Sequence, residues 1–298
     1  MATIVWRFTD GKAGHDAQSQ GLLRALRERL ALSAFDVAVK QSCAGFWPGF
    51  NGSHRYAARL PDPDLLVGAG HATHWPLLAA RRRWGGRTIV LMKPSLPLSW
   101  FDLCLVPEHD RPPQAANVLP TLGSLNSIQP CPGHNADNGL IVLGGPSRHY
   151  RWDNDEILTQ LERLVTERPL KKWLLTTSRR TPQSMLCALL DRTEFQCVPY
   201  ASTDSDWLPA RLAEAGEVWV SEDSVSMIYE ALTAGVQLGL LKVQRGKNNR
   251  ITSAVDALVD RDWVAAPGQW RLAEGPGRPL NEAARCADWI KDRWLVNH

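Results

Sequence analysis

Residues 218–241, VWVSEDSVSMIYEALTAGVQLGLL, constrain this chain more than any other stretch. Val218 to Val220 are three consecutive apolar residues, as in a short strand that a parallel sheet buries on both faces. Ser221, Glu222, Asp223 and Ser224 are small or acidic residues suited to capping a helix. Val225, Ile228 and Leu232 follow at helical spacing, and Met227 and Ala231 widen the apolar stripe. Gly235 stops the helix, and residues 236–243 read as the next strand. The result is a strand–helix–strand unit with a serine-bearing helix N-terminus at the strand's carboxyl end. Backbone N–H groups and the helix dipole make such a place a natural anion site. Nearly every parallel sheet contains turns of this shape, so the unit alone names no ligand.

The same alternation runs through the chain. Residues 3–8 predict a first strand, which leads through the glycine-containing turn Thr9-Asp10-Gly11-Lys12-Ala13-Gly14-His15 into a helix over 16–32. The turn is not G-x-G-x-x-G, so the dinucleotide fingerprint is not met. A second strand is expected over 36–40, followed by an aromatic-rich connection over 46–59. Asp62-Pro-Asp64 looks like an acidic metal pair, but the central proline makes it a strand entrance to LLVGAG. Gly68 to His71 closes that strand, and a helix over 73–84 carries Pro76 in its first turn. His71 and His74 can in principle face one metal, yet no third ligand is near in sequence. Further strands are expected over 88–92, 101–107 and 117–120. Residues 122–138 turn to Gly, Ser, Asn and Pro and read as a linker. Strands over 139–144, 172–176 and 195–200 and helices over 153–167 and 207–215 then repeat the pattern. Strands alternating with helices are most economically arranged as a parallel α/β sheet.

Composition sets limits on function. The 298 residues are enough for two domains, and 44% apolar content is ordinary for a folded chain. A net charge of +3 is small and dispersed, which argues against a nucleic-acid partner. No window reaches the ~18 uncharged apolar residues of a transmembrane segment. The N-terminus has no basic segment followed by an apolar core, so no signal peptide is expected. Six cysteines without a C-x-x-C pair suit free thiols in a reducing, cytoplasmic setting. The thirteen tryptophans suggest aromatic packing at domain surfaces or an interface, and identify no ligand.

Glu230 lies five residues before Gly235, and the pattern of serines, glutamate, alanine and glycine resembles the donor-nucleotide helix of GT-B glycosyltransferases. SEDSVSMIYEAL, GGPSRHYRWD (144–153), LLTTSRRTP (174–182), TDGKAGHDAQSQGL (9–22) and the segment from Gly68 to Pro97 together resemble one family. It is that of the bacterial relatives of the plant elongated-mitochondria (mitochondrial fission) protein. The resemblance implies a GT-B-like fold: two Rossmann-like domains, 1–130 and 139–280, with parallel sheets facing a central cleft. It also implies a helix over 281–298 that packs back on the first domain.

What the resemblance implies chemically is metal-independent sugar transfer from a nucleoside-diphosphate sugar, with no cofactor. Gly145, Ser147, Arg148, Ser178, Arg179, Ser224, Ser226 and Met227 would hold the donor diphosphate and its surroundings. Glu230 would take the ribose hydroxyls, and Asn248 and Asn249 the sugar or phosphates. A serine and arginine at a strand's carboxyl end suit diphosphate oxygens, although Arg148 can equally pair with a surface carboxylate. Either Arg179 or Arg180 can bind phosphate. His15, with Asp10, would deprotonate or orient an acceptor hydroxyl; Gln18 lies nearby in sequence. Both can instead be structural, His15 capping its helix and Asp10 bracing the turn. The acceptor is unidentified; a lipid-linked or membrane-surface one is compatible with a cytoplasmic protein peripheral to the inner membrane. Two rivals stay open: a nucleotide-binding scaffold without catalysis, and a non-hydrolysing nucleotide-sugar epimerase using Asp10 and Glu222.

Overall fold

Apolar runs that do not alternate become strands covered on both faces. In the computed structural model, which describes residues 2–39, 59–246, 250–270, 272 and 279–295, two parallel sheets are built this way. The chain divides into two compact units, Met1–Ser127 with Glu282–His298, and Ile128–Asn281. Both sheets are Rossmann-like, and each is described by itself.

The first unit contains β1 (Thr3–Thr9), α1 (Ala13–Arg27), β2 (Leu32–Ala38), β3 (Leu65–Ala69), α2 (His74–Trp84), β4 (Arg87–Leu91), β5 (Leu103–Pro107) and β6 (Val118–Thr121). Its sheet has the order β2-β1-β3-β4-β5-β6, with every pair parallel. Every residue of β3 and β5 is buried. Val5, Leu65, Val67 and Leu105 pack with Leu22 and Leu26 of α1 on one face. Trp6, Phe8, Leu66 and Val106 pack with Leu77 and Ala80 of α2 on the other. The chain leaves β1 toward β2 and then crosses to β3 on β1's other side. This reversal of strand order opens a crevice at the carboxyl ends of β1 and β3.

The second unit contains β7 (Asn135–Val142), β8 (Tyr150–Arg151), α3 (Asn154–Glu167), β9 (Lys172–Thr176), α4 (Gln183–Leu190), β10 (Gln196–Val198), α5 (Trp207–Glu214), β11 (Ala215–Ser221), α6 (Val225–Ala234), β12 (Gln237–Leu241), β13 (Gln244–Arg245) and α7 (Arg250–Asp260). Its parallel sheet has the order β10-β9-β7-β11-β12, while β8 and β13 form a short antiparallel clip. Here the reversal falls between β7 and β11. Asp153 caps α3, its side chain accepting from the amides of Asp155 and Glu156. Gly235 ends α6 with φ +80°, the left-handed conformation that favours glycine. The last helix, α8 (Glu282–Ile290), belongs to the first unit. Its Cys286, Ala287 and Ile290 join the α1 core, and Asp288 accepts from Arg29 Nε at 2.6 Å.

Several boundaries differ from the sequence reading. β7 begins at Asn135, inside the stretch read as a linker; its first residues are polar and exposed, so the apolar signal starts only at Leu140. β2 starts at Leu32, earlier than expected, and α1 starts at Ala13, inside the glycine turn. The final helix ends at Ile290 and widens into a π-helical turn, Lys291–Leu295. Among the described residues, no helix is long and apolar enough to cross a membrane.

Candidate functional site

At the β7/β11 reversal, three strand-end loops meet. Gly144 N–H donates to Ser221 Oγ at 2.7 Å, and Gly145 N–H donates to Asp223 Oδ2 at 3.0 Å. From the end of β9, Arg180 reaches the same carboxylate, Nη2 to Oδ2 at 2.7 Å. Its other arm, Nη1, donates to Gly145 O at 2.6 Å, and Nη2 also lies 3.2 Å from Ser224 Oγ. Ser224 Oγ in turn donates to Asp223 Oδ2 at 3.3 Å. One carboxylate oxygen thus gathers a backbone amide, a guanidinium and a hydroxyl beside the N-terminus of α6. The loops lie so close that a Cβ on Gly144 would meet Asp223 Oδ2 and Ser224 Oγ at 2.1 Å, so only glycine fits. Two buried polar atoms here, Asp223 Oδ1 and the Tyr150 hydroxyl, have no hydrogen-bond partner among the described residues. Such atoms are ordinarily satisfied by bound water or a ligand.

Glu230 stands on the second turn of α6. Burial alone pushes its carboxyl up to about 7, so it is poised between acid and carboxylate at neutral pH. Glu222 is committed to structure: its oxygens accept from Val243 N–H at 3.0 Å and Arg245 Nε at 2.9 Å. Arg245 also binds Asp256, so Glu222 ties the clip strand β13 to the sheet. That occupation leaves it poorly suited to the acid/base role an epimerase would ask of it.

The remaining residues of this unit singled out in the sequence are spread more widely. Ser147 accepts from the amides of His149 and Tyr150 and closes its own turn. Exposed Arg148 donates to His149 Nε2 at 2.9 Å. Ser178 donates to Gly144 O at 2.9 Å and accepts from Arg180 N–H, bracing the loop. Arg179 lies over the Tyr200 ring, 5.4 Å from its centroid, so Arg180 is the arginine at the carboxylate. Ser224 is buried, Ser226 is exposed and Met227 is half-buried. Asn248 and Asn249 lie outside the described residues.

The first unit's reversal point is built from histidines. Asp10 is buried, with Oδ2 2.9 Å from His15 Nδ1 and Oδ1 accepting from Lys12 N–H at 3.2 Å. The imidazole lies against Gly70, whose φ is +87° and where a Cβ would come within 2.3 Å of the ring. A carboxylate on Nδ1 fixes the ring and leaves Nε2 for other chemistry. Gln18 is buried and donates to Met92 Sδ at 3.5 Å. Beside this pair, Ser95 Oγ lies 2.6 Å from His71 Nδ1 and 3.2 Å from His74 Nδ1. The serine has a single proton, so at least one imidazole must donate. Burial pushes His74 down to about 4, assisted by neighbouring His71, so it is neutral at physiological pH. The two histidines thus share a hydroxyl. Among the described residues, no group of three or more His, Cys, Asp or Glu is placed to hold a metal ion.

The sequence points to Arg179 for the donor and to Asp223 only as a helix cap; in the structure Arg179 lies over Tyr200, and Arg180 is the arginine on the Asp223 carboxylate. Adjacent arginines are equivalent in sequence; only the turn after β9 decides which reaches across to β11. An acidic residue next to an anion-type helix start offered no signal that it would be the hub.

Two Rossmann-like units of these strand orders define the GT-B fold. A UDP-N-acetylglucosamine 2-epimerase structure superposes with TM-score 0.58 at 11% identity, covering 100% of this chain and 97% of the other. The glycosyltransferase SnogD from Streptomyces nogalater gives TM-score 0.52 at 14% identity, over 99% and 96% of the two chains. An uncharacterized protein of Rickettsia prowazekii is 20% identical over 350 residues, covering 98% of this chain and 99% of its own. The chain belongs to the family described as Mitochondrial fission ELM1, whose model matches residues 13–294.

Proposed function

We propose that the protein is a metal-independent glycosyltransferase that binds a nucleoside-diphosphate sugar on its second unit. The observation that carries this reading is the β7/β11 reversal, where side-chain-free Gly144, the Arg180 guanidinium and the start of α6 converge one helical turn from Glu230. In transfer, an acceptor oxygen bonds to the anomeric carbon while the bond from that carbon to the diphosphate breaks. Arg180 and the α6 amides offset the charge gained by the leaving diphosphate, as fixed dipoles do in a preorganised site. Glu230, ionised in the bound state, accepts the ribose hydroxyls. His15 Nε2, with Nδ1 held by Asp10, takes the acceptor's proton. The acceptor supplies a hydroxyl oxygen.

A second reading, a nucleotide-binding scaffold without transfer, is favoured by one observation. Asp223 already occupies the Gly145 amide and Arg180, so a diphosphate must share or displace it. A thermal-shift screen of uridine, guanosine, cytidine and thymidine diphosphates and their sugars, on wild type and on Glu230→Ala and Arg180→Ala, tests both readings. A ligand raises the melting temperature in proportion to RT ln(1 + [L]/Kd). Stabilisation by one nucleotide, lost in both variants, supports the donor site. Sugar release from that donor separates transferase from scaffold. No stabilisation of folded protein by any of them removes the donor site and with it the transferase.

A further inference from the structure

We infer that the first unit docks on an anionic bilayer surface through an aromatic platform on α2 and the turn after β4. Trp75 and Trp100 are large apolar residues left 56% and 44% exposed, and they meet each other with ring centroids 5.9 Å apart. Trp75 is in the first turn of α2, and Trp100 ends the short 3-10 turn Leu98–Trp100. Neither ring is loosely hung. Arg81 fastens the turn to the helix, Nη1 donating to Trp100 O at 3.1 Å and Nη2 to Asp102 Oδ1 at 2.9 Å. Leu78, Leu96 and Leu98 carry the platform onto the core beneath.

The charge around the platform selects the partner. Arg81 is spent on Asp102; exposed Arg82 and Arg83 follow it on the same helix, Arg83 lying over the Trp84 ring 5.2 Å from its centroid. Arg82 lies seven residues after Trp75, two helical turns along one face, so a tryptophan and an arginine present together. Exposed Lys93 and Ser95 lie on the turn that carries Trp100. Tryptophan, with an apolar ring and one N–H, prefers the headgroup level of a bilayer, and clustered arginines prefer anionic lipid. The turn also holds Ser95, the hydroxyl shared by His71 and His74, so a docked bilayer would lie beside that cluster. The inference does not depend on sugar transfer, because a scaffold would dock through the same residues.

Vesicle co-sedimentation of the full chain tests it, using phosphatidylcholine vesicles with and without phosphatidylserine. The wild type is expected to sediment with the anionic vesicles and to be released by salt. Replacing both rings, Trp75→Ala with Trp100→Ala, is expected to lower partitioning about tenfold or more, from the apolar area withheld from lipid. Arg82→Glu, at an exposed site, is expected to lower it at least about fivefold and to reduce the salt dependence. Melting curves unchanged from wild type show that either variant is folded, and Arg82→Glu alone decides the matter if the double variant is not. Wild type that ignores anionic vesicles, or variants that bind them equally well, overturn the proposal. So does a shift of the double variant from dimer to monomer in size-exclusion chromatography with vesicle binding unchanged, which would make the platform a contact between copies.

Discussion

The two reversal points occupy equivalent places in two Rossmann-like sheets and are built from opposite chemistry. In the first unit a buried carboxylate, Asp10, points one imidazole, and a second pair of imidazoles shares Ser95. In the second unit a buried carboxylate, Asp223, gathers an amide, a hydroxyl and a guanidinium. One arrangement suits moving a proton and the other suits holding negative charge. The comparison teaches that the strand order supplies the place, while the residue types at the strand ends decide the chemistry.

The units also titrate in opposite senses. His74 has a depressed pKa, so the unfolded chain takes up its proton first as pH falls, and the stability it contributes is lost from its ordinary 6.5 down to about 4. Glu230 has a raised pKa, so the folded chain holds its proton longer. The stability it contributes is present below its ordinary 4.5 and is lost as pH rises to about 7. Over most of the same window the two offset each other, and single variants should uncover each.

The largest expected effect separates the two sites by function. His15→Ala should slow transfer by about 10²–10⁴ while nucleotide stabilisation of the protein is unchanged, the range expected for loss of a general base. Equal loss of nucleotide binding would merge sites that the comparison keeps apart. Next, Asp223→Ala should cost about 2–4 kcal/mol in urea unfolding, because the Gly145 amide and Arg180 lose their shared acceptor. An unchanged midpoint would show that Asp223 is not the hub. In third place, His74→Gln should flatten the decline in stability between pH 6.5 and 4, a change of up to about 3 kcal/mol at the acid end. Melting temperatures across that range read it directly. Glu230→Gln should raise stability at pH 8 by about 2 kcal/mol, after discounting for partial exposure, and leave it unaltered at pH 4. A variant less stable at both pH values would argue for a structural glutamate. Smallest of all, exposed Arg148→Ala should change stability by no more than about 0.5 kcal/mol. Its effect on nucleotide binding, set against Arg180→Ala, ranks the two arginines.

Much of this arrangement is legible in residue order. Unbroken apolar runs such as Leu65 to Val67 and Val218 to Val220 announce doubly covered strands, and Gly235 announces the end of α6. The position of an acidic or serine-rich segment after such a strand marks the loops that converge at a sheet's carboxyl edge. Polar strand starts are not legible: Asn135 pairs beside β11 only because the sheet extends past its apolar centre. Nor is a choice between like neighbours, since Arg179 and Arg180 diverge to Tyr200 and Asp223.

By itself, then, the sequence determined the alternation of strands and helices, the glycines that admit close backbone approach, and the chemical inventory at each strand end. Periodicity and backbone freedom are local properties, carried by a few consecutive residues. Only the tertiary structure decided the strand order, and through it which loops meet. It placed residue 180 against residue 223 and α8 against α1, and it lowered His74 while raising Glu230. Those outcomes depend on burial and on partners distant in the chain, which exist only once the sheets are assembled.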